Sequence, residues 1–241
     1  MAGDAAFARD AWRRIADIAE HPGFAHIRSE LLLGRAWMAA ADGSLSEAAG
    51  LSRQAALLAA TQDQPAVEVF ALHSAVCFGD RTVADRLAEL ATHVDGPRAS
   101  AAAAHAAALA ADDGAALHAA SAQLEAMGAL LLAADAAAQA AAAHHRHGQR
   151  GSAQAASSRA DRLAQACEGA RTPALAALAA PLPLTTRERE IVMLAANGLS
   201  NRQIADRLTV SVRTVEGHLY RACAKLGVGD RTKLAALIHG D

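Results

Sequence analysis

The sequence predicts an all-α protein. It reads as a train of helical hairpins over residues 1–170, a Pro/Ala linker over 171–183 and a four-helix module over 184–241. Three observations carry this. Hydrophobic residues make up 53% of the 241-residue chain but aromatics only 3%, much of the rest being alanine, the strongest helix former. Turn signals recur at even intervals as far as Gly169, and the tail shows helix caps and turn glycines at the spacing of four short helices.

The turn signals are Gly43, Asp63 to Pro65, Gly79, Asp95 to Pro97, Asp112 to Gly114, Gly128, Gly148 and Gly169. They cut the chain into segments that each suit one helix of a few turns. Alternate breaks lie 36, 34 and 35 residues apart, from Gly43 to Gly79, Asp113 and Gly148. A period near 34 with two helices per unit resembles the tetratricopeptide type of α-solenoid, where each helix pair buries its apolar stripe against the next. The Trp, Gly, Tyr and Pro positions of that repeat's consensus are not met, so the resemblance is to a TPR-like architecture alone.

The middle segments, such as 97–114 and 129–149, are rich in alanine and offer little side-chain area. Larger apolar residues gather earlier, at Phe7, Trp12, Ile15, Phe24, Leu31 to Leu33, Trp37, Val69, Phe70, Leu72 and Phe78, so the amino-terminal half is expected to be the better packed. Pro173, Pro181 and Pro183 then interrupt the helical pattern, leaving room for a short helix at 174–180.

Charge is divided unevenly. Residues 1–180 hold 14 basic and 19 acidic side chains, whereas residues 181–241 hold 9 and 6, so the tail is the half suited to phosphates. Cys77, Cys167 and Cys223 are far apart and form no CxxC, which fits buried thiols in a reducing compartment. With neither a membrane-span pattern nor a signal-peptide pattern at Met1, the reading is a soluble cytoplasmic protein with no membrane partner. Lys225 and Lys233 are the only lysines, and there is no GxxxxGK[ST] loop, which excludes P-loop nucleotide chemistry. No set of catalytic or metal-ligating residues has persuasive spacing; the expectation is no enzyme, no cofactor and no metal.

In the tail, Thr185 or Thr186 caps a first helix, with Glu188 completing a capping box after Thr185. Ile191, Val192, Leu194 and Ala195 form its inward stripe, and Asn197-Gly198 stops it. Ser200 caps a second helix over 201–208, with Ile204, Ala205 and Leu208 inward. Ser211 caps a third, in which 100° per residue places Val212, Val215, Leu219, Cys223 and Leu226 on one core-facing stripe. The opposite face centres on Gly217, among Arg213, Thr214, Tyr220, Arg221, Ala224 and Lys225, a basic surface whose small centre suits close approach to base edges. Exposed amides after Ser211 make an anion site for a phosphate. Gly227 ends the helix, and Asp230 caps a fourth reaching about Ile238.

The blocks LTTRERE, GLSNRQIA, TVEGH and KLGV, in this order and spacing, resemble the LuxR-type helix-turn-helix domain over roughly the last 58 residues. The resemblance implies a sequence-specific DNA-binding transcriptional regulator that binds double-stranded DNA as a homodimer. It places the recognition helix at 211–226 in the major groove. Base-reading positions fall at Glu216, Gly217 and Tyr220, and phosphate contacts at Ser200, Asn201, Arg202, Arg213, Thr214, Arg221 and Lys225, beside the anion site at Ser211. Glu216 can accept from a cytosine amino group, whereas Gly217 offers no side chain, which leaves room for shape readout. Dimer contacts fall to the fourth helix. Helical repeats followed by such a module resemble the carboxyl-terminal end of the large ATP-binding LuxR regulators without their ATPase part, so ATP dependence is not implied. Oligomerisation, or sensing of a protein or small-molecule effector, falls to the repeats. The competing reading is a helical-repeat interaction scaffold with secondary DNA binding.

Other conspicuous residues have plainer readings. His144, His145 and His147 suit a solvated helix end beside the carboxyl-terminal dipole better than a metal site. His218, at the edge of the inward stripe, reads as a structural hydrogen-bonder, and Trp12 and Trp37 as core. Asp112-Asp113 and Glu188/Glu190 sit where capping and dipole effects explain them.

Overall fold

A computed structural model of the chain describes residues 10–14, 27–179 and 182–239. Phe7, Ile15, Phe24 and Pro181, singled out above, lie outside the described residues. Among those described every regular element is helical and no strand occurs. Among the described residues, 10–14 are helical and eight further helices precede the linker: α1 (Arg28–Ala41), α2 (Leu45–Thr61), α3 (Pro65–Cys77), α4 (Ala84–Leu90), α5 (Pro97–Ala110), α6 (Gly114–Ala126), α7 (Leu130–Arg146) and α8 (Arg150–Ala166). The short α9 (Pro173–Ala179) lies in the linker, and α10 (Thr186–Ala196), α11 (Asn201–Leu208), α12 (Val212–Leu226) and α13 (Arg231–His239) form the carboxyl-terminal module. None of the described helices is long and apolar enough to cross a membrane.

The expected turn signals are where the helices stop. Gly43, Gly79, Gly96, Gly128, Gly148 and Gly169 all have positive φ, as do Asp63 and Asp112, which occupy the same left-handed turn position without being glycine. Asp113 then caps α6 by accepting from the amides of Ala115 and Ala116 at 2.9 and 3.0 Å. Helices pack chiefly on their neighbours in sequence, α1 on α2, α2 on α3, α6 on α7 and α7 on α8. Leu33, Val69, Leu72, Val76, Leu87, Leu109 and Leu117 anchor one core, Leu124, Leu163 and Leu175 a second.

The expectation of a better packed amino-terminal half does not hold at α7. Ala133, Ala134, Ala136, Ala137, Ala138, Ala140, Ala141 and Ala143 are all at most 2% exposed, because small side chains let α6 and α8 close on both flanks of the helix. Phe70 is 41% exposed instead, its ring covered by the Arg98 guanidinium at 4.9 Å. Trp37 meets Phe78 edge-on at 4.6 Å, and Trp12 lies under the Arg35 guanidinium.

Buried polar groups stitch the hairpins together. His73 Nε2 lies 3.0 Å from His105 Nδ1, His105 Nε2 lies 2.8 Å from Gln139 Oε1, and Gln139 Nε2 donates to the Val76 carbonyl. Because Gln139 Oε1 only accepts, the chain assigns the proton on each ring to Nε2. Burial lowers the pKa of both imidazoles, His105 to about 4, so both are neutral in this chain. Thr172, at the start of the linker, donates to buried Asp135 of α7, whose pKa burial raises to about 7. His144 corrects its sequence reading: it is 7% exposed, lies against Gly114 and reaches Gln149, while His145 and His147 are exposed. Asp112 is held down to about 2 by hydrogen bonds from Arg146 and then Arg81, joining three alternate turns of the helical series.

Candidate nucleic-acid interface

Each helix of the module begins at a side-chain cap. Thr185, not Thr186, caps α10: its Oγ1 accepts from the Glu188 amide while Glu188 returns to the Thr185 amide at 2.9 Å. Ser200 and Gln203 form the same reciprocal box on α11. Thr209 takes a left-handed conformation (φ 53°), reversing the chain so that Ser211 can cap α12 through the Thr214 amide at 3.1 Å. Gly227, at φ 67°, closes α12. Ile191, Leu194, Ile204, Leu208 and Val215 fill one side of the core, Val192, Ala222 and Leu234 the other.

This packing fixes which face of α12 is free. Arg213, Thr214, Glu216, Tyr220, Arg221, Ala224 and Lys225 are exposed, with Tyr220 at 78%, and Gly217 is partly covered between them. Ser200, Arg202 and Ser211 are exposed at adjoining helix starts, and Asn201 is partly exposed. The expected core stripe needs one correction. Val212, the first residue of α12, is 39% exposed, and Ala222 takes a buried place that the spacing argument gave to its neighbours. Leu219, Cys223 and Leu226 are only partly buried but pack on the core.

Two arrangements went unread in the sequence. Glu188, 3% exposed, lies beneath the basic face: its Oε2 accepts from Lys225 Nζ at 2.6 Å, and its Oε1 lies 3.8 Å from Arg221 Nε. The Lys225 hydrogen bond foremost, then the Thr185 amide, holds the carboxyl at about 2. Arg221 also reaches His218 Nδ1 at 3.1 Å, and burial followed by the Arg221 charge lowers the imidazole pKa. The second is Arg231 at the start of α13, which donates to the carbonyls of Ala195 and Leu199 and to Asn201 Oδ1, tying α13 to the loop before α11. A carbonyl-directed cation leaves no spacing signature in a sequence. The described residues contain no group of three or more His, Cys, Asp or Glu placed to hold a metal ion.

A capped helix-turn-helix with a basic outward face is the geometry that enters a DNA groove. The family model described as bacterial regulatory proteins, luxR family, matches residues 182–238. The carboxyl-terminal domain is a LuxR-family helix-turn-helix domain. Its relatives agree. A Mycobacterium bovis protein carrying the name HTH-type transcriptional regulator is 53% identical over 51 residues, 21% of this chain and 6% of the relative. The transcriptional regulatory protein LiaR of Bacillus subtilis is 41% identical over 56 residues, 23% of this chain and 26% of the relative. The DNA-binding transcriptional activator DevR/DosR of Mycobacterium tuberculosis is 44% identical over 52 residues, 22% and 24% of the two chains. The shared segment thus spans 6 to 26% of these relatives' lengths. No solved structure matches the chain.

Proposed function

We propose that the chain is a sequence-specific DNA-binding transcriptional regulator of the cytoplasm. The observation that carries this reading is the exposed basic face of α12 on a LuxR-family domain. Arg213, Thr214, Arg221 and Lys225, with Ser200, Asn201, Arg202 and the free amides after Ser211, grip phosphates. Glu216, Gly217 and Tyr220 meet base edges in the major groove. The partner is double-stranded DNA, bound by a homodimer through α13, on which Leu237 is 46% exposed. The helical hairpins sense a protein or small-molecule effector, or pair two copies.

Capture of genomic fragments by the purified chain, followed by anisotropy titration on the enriched sequence at several salt concentrations, tests the reading. Arg213→Ala and Lys225→Ala should each weaken binding and each reduce the salt slope by about one. Enrichment of no sequence, or unchanged binding in both variants, refutes it. Partner capture by the hairpins without site-selective DNA binding would favour a scaffold.

A further inference from the structure

The module is held against the first hairpin by contacts that its DNA-binding role does not use. On α10, Arg187, Glu190, Met193 and Asn197 fall within about 120° of the helix circumference. That stripe meets the turn between α1 and α2. Glu190, 4% exposed, splits its carboxylate: Oε2 accepts from Arg187 of its own helix at 2.7 Å, and Oε1 accepts from the Ser46 amide at 2.8 Å and the Ser46 hydroxyl at 2.7 Å.

Ser46 is the second residue of α2, where amides lack partners within the helix, and the preceding Ser44 provides no side-chain cap. Glu190 therefore supplies the missing cap from another domain, with its charge at the positive end of the α2 dipole. Asn197 does the reverse for α1, its Nδ2 donating at 3.0 Å to the carbonyl of Asp42, the residue that ends that helix. Between the two, Met193 lies against Gly43, where φ is +82° and an added Cβ would meet Met193 Cβ at 2.8 Å. On α11, Arg207 Nε donates to Glu47 Oε2 at 2.6 Å, with Asp42 3.8 Å away.

We propose that α10 and the end of α11 form a mount, a surface that recognises the α1–α2 turn of this same chain and holds the DNA-binding domain with α12 facing outward. This rests on the proposed function for its orientation. None of Arg187, Glu190, Met193, Asn197 and Arg207 belongs to the DNA-facing set, and Arg213, Glu216, Tyr220 and Lys225 stay exposed while the contact is made. The docked arrangement is therefore the DNA-presenting one, not a lid over the recognition helix. Whatever moves the first hairpin then moves α12 as one body with it.

The test measures backbone hydrogen exchange at residues 44–48 in the full chain without DNA. Arg207→Glu and Glu47→Arg should each speed exchange at Ser46 by about tenfold, and the double variant, which restores the pair with its signs exchanged, should return it to within about threefold of the parent. Unchanged exchange in both single variants overturns the mount. The second arm is Gly43→Ala, which breaks the contact without altering charge. Its affinity for a fluorescein-labelled random-sequence duplex of about 30 base pairs at about 50 mM salt should stay within about twofold of the parent. A tenfold gain would make the contact an inhibitory lid and overturn the presenting orientation. Should Gly43→Ala fail to fold by circular dichroism, the same duplex titrated against the charge-exchanged double variant and Arg207→Glu decides between these outcomes. Failure of the parent chain to bind any duplex refutes the proposed function, and the exchange arm still decides the docking contact.

Discussion

Glu188→Gln tests what anchors the basic face of α12. The glutamine keeps the shape of the side chain and an oxygen that can accept from the Thr185 amide, but it loses the charge facing Lys225 at 2.6 Å and Arg221 at 3.8 Å. A charge-assisted hydrogen bond is worth about 1.5 to 3 kcal/mol, reduced here because Lys225 is 39% exposed, so a loss of about 1 to 2 kcal/mol is expected. That corresponds to exchange of the Ile191 and Val192 amides about 5 to 30 times faster at pH 7. The pH dependence has a fixed sign. The folded carboxyl titrates at about 2, below its ordinary value of 4.5, so its stabilisation is present above about 4.5 and is lost as pH falls toward 2. The difference between parent and variant, measured at each pH so that intrinsic exchange cancels, should stay level from pH 7 to 5 and shrink below about 4.5. A difference that grew on acidification, or none at pH 7, would refute the assignment of Glu188 as the anchor of the basic face.

Arg231→Ala removes the donor to two carbonyls and to Asn201 Oδ1, and should cost the module about 2 kcal/mol, read as faster exchange through residues 195–201. Ile204→Ala opens a cavity at a fully buried position and should cost about 2 to 5 kcal/mol, a loss visible in the urea midpoint of the module's tryptophan-free transition by circular dichroism. Asp135→Asn tests the opposite pH sign. A carboxyl raised to about 7 is compatible with burial below its unfolded value and opposes folding increasingly as pH climbs toward 7. The variant should therefore gain urea resistance over the parent between pH 5 and 8, and a gain confined to acid pH would contradict the burial argument.

The helix ends within residues 184–241 were legible because each is written in a local code. Ser200, Ser211, Gly227 and the Thr185/Glu188 box act through residues no more than four positions away, and the structure places α11 at Asn201–Leu208 as the caps indicated. The same holds for the turns at Gly43, Gly79, Asp112 and Gly148, where backbone conformation alone limits the residue types. Burial was legible where a helix buries one stripe, as α10 does with Ile191, Val192, Leu194 and Ala195. The 100° rule put Val212 inside, yet it sits in the first turn of α12 and is 39% exposed. The alanines of α7 carried no visible stripe because the helix is covered on more than one side, and periodicity disappears when most faces are buried. His144 read as solvated because its partners, Gly114 and Gln149, come from other segments.

Glu190 has a partner that only the tertiary structure can reveal. Its place in LTTRERE, one turn into α10, explains a carboxylate there without further partners, and Arg187 three residues earlier occupies one of its oxygens. Nothing local distinguishes an oxygen facing water from one facing a helix start 144 residues away. The complementary deficit sits in the other domain, where α2 begins at a serine that forms no side-chain cap. Each half alone looks like a tolerable local economy, a spare acceptor on one helix and an uncapped start on another. Together they specify an interface, because an uncapped helix start buried against a surface needs an acceptor from that surface. One position controls the fit: the turn between α1 and α2 can receive α10 only if Gly43 leaves room for Met193, so a side chain at residue 43 should disturb the placement of α12 while leaving Arg213, Glu216, Tyr220 and Lys225 themselves unaltered.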